Sequence, residues 1–133
     1  MATVNHTLTL TSNDLTSDTI SLTLLNTLGS AVQGGVIRQK IEPTVVGSAV
    51  VLGDHDQYTQ GARVWLHNPS TAADVAANYV YISMDVAPAK QITLKPGDWA
   101  LFPWSAASST SPQDLKAFAH TAGNILEWGI YSV

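Results

Sequence analysis

Polar and apolar residues alternate with a period of two along most of this chain. From Thr3 to Thr11, Val4, His6, Leu8 and Leu10 fall on one side, and Thr3, Asn5, Thr7, Thr9 and Thr11 on the other. A period of two with threonine on the wet side predicts a half-buried strand. Ser12-Asn13-Asp14 breaks it, and Thr19 to Leu25 resumes it with Ile20, Leu22 and Leu24 inward. Asn26 to Gly35 contains Gly29, Gly34 and Gly35 and reads as a loop. Val36 to Ile41 sets Ile37, Gln39 and Ile41 against Val36, Arg38 and Lys40, and Pro43 ends it. Thr44 to Leu52 is β-branched but interrupted by Gly47, which predicts a strand pair or a bulged strand.

The same grammar runs through the second half. Gly53-Asp54-His55-Asp56 is a polar turn, and the loop continues through Gly61. Arg63 to His67 places Val64 and Leu66 against Arg63, Trp65 and His67, and Asn68-Pro69-Ser70 closes that strand. Thr71 to Asn78 is short enough to be one helical turn or a loop. Tyr79 to Asp85 is a strand, and so are Leu115 to His120 and Ile125 to Val133, with Gly123-Asn124 turning the chain between the last two. Ser105 to Pro112 is small and polar and reads as the most flexible stretch.

Gln91 to Trp104 organises the rest. Two apolar runs flank Lys95-Pro96-Gly97-Asp98. Proline presets φ at position i+1 and glycine accepts φ > 0 at i+2, so Pro96-Gly97 predicts a type II turn and, with its flanks, a hairpin. Trp99, Leu101 and Pro103 leave the turn on one side, Ala100, Phe102 and Trp104 on the other. Aromatic residues carry the largest buried areas, so this segment is expected to nucleate the core. About ten short strands separated by turn signals, with no alternating helices, predict an all-β fold. The expected architecture is a single antiparallel β-sandwich, jelly-roll-like, over residues 1–133, with 1–12 available as an N-terminal arm strand.

Composition sharpens this picture. Charged residues make up only 12% of the chain and the net charge is −4, with six Lys and Arg scattered singly. That leaves no basic footprint for nucleic acid. A charge-poor, threonine-rich surface suits a β protein, and also one that lives packed against copies of itself or a partner. Cysteine is absent, so there is neither a disulfide framework nor a thiolate metal site. No apolar run is long enough to cross a bilayer as a helix. The opening MATVNHTLTL lacks the basic and long apolar regions of a signal peptide.

Candidate chemistry is sparse. Asp54-His55-Asp56 is the densest set of metal-ligand types, but the other histidines, His6, His67 and His120, are distant in sequence. The motif reads as a solvated turn, and no metal or other cofactor is expected. His67 and His120 read as hydrogen-bonded residues at a sheet rim. A cupin metal site needs a paired His-X-His and a later histidine, and neither is present. A nucleophile elbow, a P-loop and a dinucleotide fingerprint are also absent. Most of the Asp residues named in turns, such as Asp14, Asp18 and Asp98, have a local structural job there. No catalytic residue is assigned, and the chain is read as a non-enzyme. Of the four tryptophans, Trp99 and Trp128 are expected in the core. Trp65, beside Arg63, and Trp104, next to the flexible stretch, are the candidates for a protein contact or a sugar platform. Thr7 and Thr9 on the first strand are candidates for contact with a neighbour, since an added strand pairs through its backbone.

Four segments together resemble small virion structural proteins of tailed bacteriophages: VWLHNPST, YVYISMD, ITLKPGDWALFPW and the closing NILEWGIYSV. The opening NHTLTLTSNDLTSDTISLTL is similar in manner. The resemblance covers most of the chain and implies a capsid decoration (cement) protein, or a tail or head–tail junction component, with no catalytic residues. It implies the major capsid protein as partner and a dimeric or trimeric homo-oligomer. It further implies a place on the virion surface, after synthesis in the host cytoplasm, with no membrane or nucleic-acid partner. A carbohydrate-binding β-sandwich module is the reading from another class.

Overall fold

The computed structural model describes residues 2–12, 20–31, 36–42, 49–58, 61–84, 89–105 and 113–132. Contacts divide the chain into two compact units, one ending at Val32 and one spanning Gln33–Ser132. Strands are the dominant element among the described residues, which also hold one turn of 3-10 helix at Ala76–Asn78. None of their helices is long and apolar enough to cross a membrane.

The first unit is an antiparallel pair, β1 (Ala2–Ser12) and β2 (Ile20–Ala31). Leu8 lies opposite Leu24, while Thr7, Thr9 and Thr11 lie opposite Leu25, Thr23 and Ser21. The period-two pattern therefore puts Leu8, Leu22 and Leu24 on one face and the threonines on the other. One expectation is corrected here. β2 does not stop at Leu25 but runs through the glycine-containing stretch to Ala31, because its backbone keeps finding partners in β1 as far as Ala2. The register shifts between Val4 and Ala2, where β2 carries an extra residue beside Gly29. A bulge absorbs the glycine that composition reads as a break.

The second unit contains β3 (Ile37–Ile41), β4 (Val50–Gly53), β5 (Ala62–His67), β6 (Val80–Ser83), β7 (Ile92–Leu94), β8 (Trp99–Trp104), β9 (Leu115–Ala119) and β10 (Asn124–Ser132). They form two four-stranded antiparallel sheets, ordered β3-β10-β5-β8 and β4-β9-β6-β7. Eight strands in this interleaved order make a jelly-roll sandwich, the architecture expected from the alternation. Val64, Leu66, Leu126 and Ile130 from one sheet meet Val80, Ile82, Leu94 and Leu115 from the other in a single buried cluster. The expected flexible stretch and the Thr44–Gly47 interruption lie mostly outside the described residues.

Gln91 to Trp104 is not a hairpin, although its turn is the predicted one. Gly97 has φ of 82°, and Asp98 N–H donates to the Lys95 carbonyl at 3.0 Å. Yet β7 pairs with β6 in one sheet and β8 with β5 in the other. The turn carries the chain across the sandwich.

Asn68 holds this crossing in place. Its side chain is fully buried, and its amide N–H groups donate to the carbonyls of Asn78 and Leu94, each at 3.0 Å. Its own backbone N–H donates to the Asp98 carbonyl at 2.9 Å, and its carbonyl accepts from Gly97 N–H at 2.9 Å. The segment behind it is stitched to the same turn. Asp74 accepts hydrogen bonds from Tyr79 Oη at 2.5 Å and Lys95 Nζ at 3.1 Å. These bonds pull the Asp74 carboxyl below its ordinary range.

Candidate functional site

The outer face of the β3-β10-β5-β8 sheet carries a set of aromatic and charged groups. Strand register builds it in rows. Arg38, Glu127, His67 and Trp99 lie side by side across all four strands. The next row is Gly129, Trp65 and Leu101, and the next is Tyr131, Arg63 and Pro103. β5 shows why these side chains face out. Ala62, Val64 and Leu66 are buried, so the intervening Arg63, Trp65 and His67 point the other way. The Trp65 and His67 rings are 6.1 Å apart and tilted by 38°. Trp99 is 53% exposed.

A charged clamp borders the aromatics. Glu127 accepts from Arg38 Nη1 at 2.5 Å through one carboxylate oxygen and meets His67 Nδ1 at 2.9 Å through the other. The His67 hydrogen bond is the main cause that lowers the Glu127 pKa; desolvation opposes it, and the charge and hydrogen bond of Arg38 add to the lowering. A general acid working near neutrality needs its pKa raised, so this shift runs against that role. What the clamp does is fix the His67 ring beside Trp99. The expectation of a hydrogen-bonded histidine holds for His67, although its partner comes from a strand far along the chain.

The tryptophan assignments need correcting. Trp104 is not a surface contact residue. It is 6% exposed and packs against Tyr58, ring centroids 5.5 Å apart. Trp99, expected in the core, is the exposed one. Both faces of β8 are apolar in sequence, so alternation separates the two residues without saying which side is inside. Gly53 decides it. A Cβ placed there would meet Ile130 Cδ1 at 2.8 Å and Trp104 Cζ3 at 2.9 Å, so the missing side chain is the space the indole uses. Trp128 packs against the core, as expected. Arg63 and Trp65 are on the outer face and partly exposed, and Thr7 and Thr9 are exposed on the β1–β2 unit.

A second cluster lies in the β4–β5 connection. His55 Nδ1 is 2.8 Å from Asp114 Oδ1 and 3.3 Å from Asp54 Oδ1, and His55 Nε2 is 3.1 Å from Asp56 Oδ1. The His55 backbone N–H also donates to Asp114 at 3.1 Å. Asp54, His55 and Asp56 each offer a ligand atom within 4.8 Å of the others. The hydrogen bond to Asp114, opposed by partial desolvation and then supported by the Asp56 charge, raises the His55 pKa. With carboxylates at both ring nitrogens, the cluster ties the loop to the start of β9. Sequence reasoning had no route to Asp114, because nothing in local spacing links positions 55 and 114.

Compared with protein-family models, curated proteins and solved structures, the chain matches none of them.

Proposed function

We propose that this chain is a non-enzymatic virion structural protein that decorates a phage capsid, docking on the major capsid protein through the outer face of the β3-β10-β5-β8 sheet. The observation that carries the reading is Trp99. A half-exposed indole shares its sheet face with Leu101 and Pro103 on β8 and with Trp65 on the neighbouring β5. An outward group of large apolar residues on a charge-poor module suits an interaction surface. Aromatic residues and arginine are the side chains that dominate binding energy at such surfaces. The resemblance of the quoted segments to virion proteins supplies the kind of partner. The Glu127 clamp and the His55 cluster are each paired internally. A cement role also gains from multivalency, which makes modest contacts strong when repeated over a shell.

The test is cosedimentation of purified protein with capsids lacking it, scored by occupancy and by heat stability of the shell. Saturable binding with a raised melting temperature supports the proposal. A loss of at least 2 kcal/mol, roughly thirtyfold in affinity, is expected for Trp99→Ala as a central anchor. Recovery on isolated tails instead would move the protein to the tail or head–tail junction, and binding to neither would sink the virion reading.

One observation favours a second reading. Trp65 and Trp99 lie on the same face as His67, Glu127 and Arg38, so aromatic and hydrogen-bonding groups stand together. That combination suits a carbohydrate. Glycan-array binding lost on Trp99→Ala and Trp65→Ala, with the fold intact, would replace capsid docking by sugar recognition.

A further inference from the structure

Charge is shared unevenly over this chain. The net charge is −4, from ten Asp and Glu against six Lys and Arg. The strands of the β3-β10-β5-β8 sheet nevertheless hold three of the six cations, Arg38, Lys40 and Arg63, and only one of the ten acids, Glu127. Strand alternation puts all four on the outer face, together with Trp65 and Trp99. Both arginines of the chain are therefore on this face. Two of the three cations are paired: Arg38 meets Glu127, and Lys40 Nζ lies 3.1 Å from Glu42, just beyond β3. Arg63 differs. Among the described residues no carboxylate comes within ion-pair distance of it. Its row neighbours are Tyr131 on β10 and Pro103 on β8, and the next row brings Trp65 and Leu101.

From this placement we infer that the face receives an acidic segment of its protein partner, with an Asp or Glu side chain on Arg63 and an apolar neighbour against Trp65 and Leu101. The inference rests on the docking face proposed above and names the chemistry of what that face takes. A guanidinium offers a carboxylate two parallel N–H donors. In open water such a pair is worth little. Beside apolar groups that docking covers, water leaves, and losing one member of the pair becomes costly. Charge complementarity selects the occupant. A second copy turned face to face would set two net-positive surfaces together, which is unfavourable. An acidic glycan fits less well. The side chains of Trp65, Leu101 and Pro103 offer its hydroxyls a single indole N–H. Arg38, Glu127 and His67 are already bonded to one another, and His67 lies roughly 13 Å along the strand from Arg63.

Two measurements on the full chain test the inference. In the first, arrayed short synthetic peptides differ only in a central Asp, Glu, Asn, Gln or Lys between leucines and valines. The wild type should prefer the acid-centred peptides over their amide counterparts by about tenfold, an ordinary margin for a charge-assisted pair. Arg63→Gln should abolish that preference and Lys40→Gln should keep it. Arg63→Glu should turn it toward the Lys-centred peptide, a reversal that a merely structural role would not produce. Unchanged tryptophan emission confirms that each variant is folded. In the second measurement, cosedimentation with capsids lacking the protein, Arg63→Gln should weaken binding roughly thirtyfold and flatten its dependence on salt. A wild type without acid preference overturns the inference, as does a preference that survives Arg63→Gln, or binding to an acidic polysaccharide such as alginate that needs Arg63 while the acidic peptides fail to bind. Shells that bind wild type and Arg63→Gln equally overturn it too and leave the capsid reading standing. Acid-centred peptides bound through Arg63 with no binding to shells do the reverse: the inference holds and the capsid reading falls.

Discussion

Asn68→Ala should be among the most damaging single changes available in the jelly roll. The substitution removes both amide N–H groups, which hold the carbonyls of Asn78 and Leu94 at 3.0 Å, and the side-chain oxygen that accepts from Ser70 N–H at 3.2 Å. The Leu94 bond is buried, so its carbonyl is left without water, at a cost of about 1–3 kcal/mol. The Asn78 and Ser70 bonds are part-buried, and each costs a net 0.5–1.5 kcal/mol or so. With the small void left by the amide, the total is about 3–5 kcal/mol. That is a large part of a stability of roughly 5–15 kcal/mol, and it corresponds to a fall of about 10–20 °C in melting temperature for a domain of this size. Urea unfolding followed by tryptophan fluorescence measures it, with an unchanged m value showing that the denatured state is not the cause. Asn68→Asp keeps the shape but turns an acceptor toward two carbonyls. It should be at least as unstable as the alanine variant near neutrality, and should recover as acid protonates the new carboxyl and restores one donor. A loss below about 1 kcal/mol for Asn68→Ala would refute the reasoning, because it would mean that the two carbonyls find other partners.

Gly53→Ala should cost about 1–3 kcal/mol by overpacking against Ile130 and Trp104, and a Trp104→Phe background should relieve it, as read by the same urea titration. Trp104→Ala should lose about 3–5 kcal/mol as a large-to-small core change, whereas Trp99→Ala should leave stability within about 0.5 kcal/mol, as for other surface changes, and act on binding alone. The His55 pKa is raised, so its stabilising contribution is complete below the ordinary histidine value of 6.5 and fades as pH rises through the folded value. The melting temperature should therefore drop over that alkaline-going window in the wild type, and drop less in His55→Gln. Asp114 works in the opposite direction. Burial pulls its pKa up, but the His55 bonds outweigh that and leave it lowered, so this contribution is present above the ordinary carboxylate range and lost as pH falls through the folded value.

Local chemistry determined a good deal of this protein. Alternation located most of the strands and separated their faces, because side chains on a strand point to opposite sides at every step. It placed Val64 and Leu66 inside and Arg63 and Trp65 outside on β5, and it put the leucines and threonines of β1 on opposite faces. Turn chemistry set Gly97 at positive φ. All of these are properties of a residue and its immediate neighbours. Where both faces of a strand are apolar, alternation is symmetric and cannot choose. Trp104 went inside, where it packs against Gly53, a residue far from it in sequence, and Trp99 went outside. The Pro96-Gly97 turn was legible, but not that it crosses between sheets. That depends on β6 and β5 being available to pair with its two arms, and on Asn68 bonding to both sides of the crossing. The row Arg38, Glu127, His67 and Trp99 was illegible for the same reason. Register between distant strands is set by the burial of every strand at once, and that exists only in the folded chain.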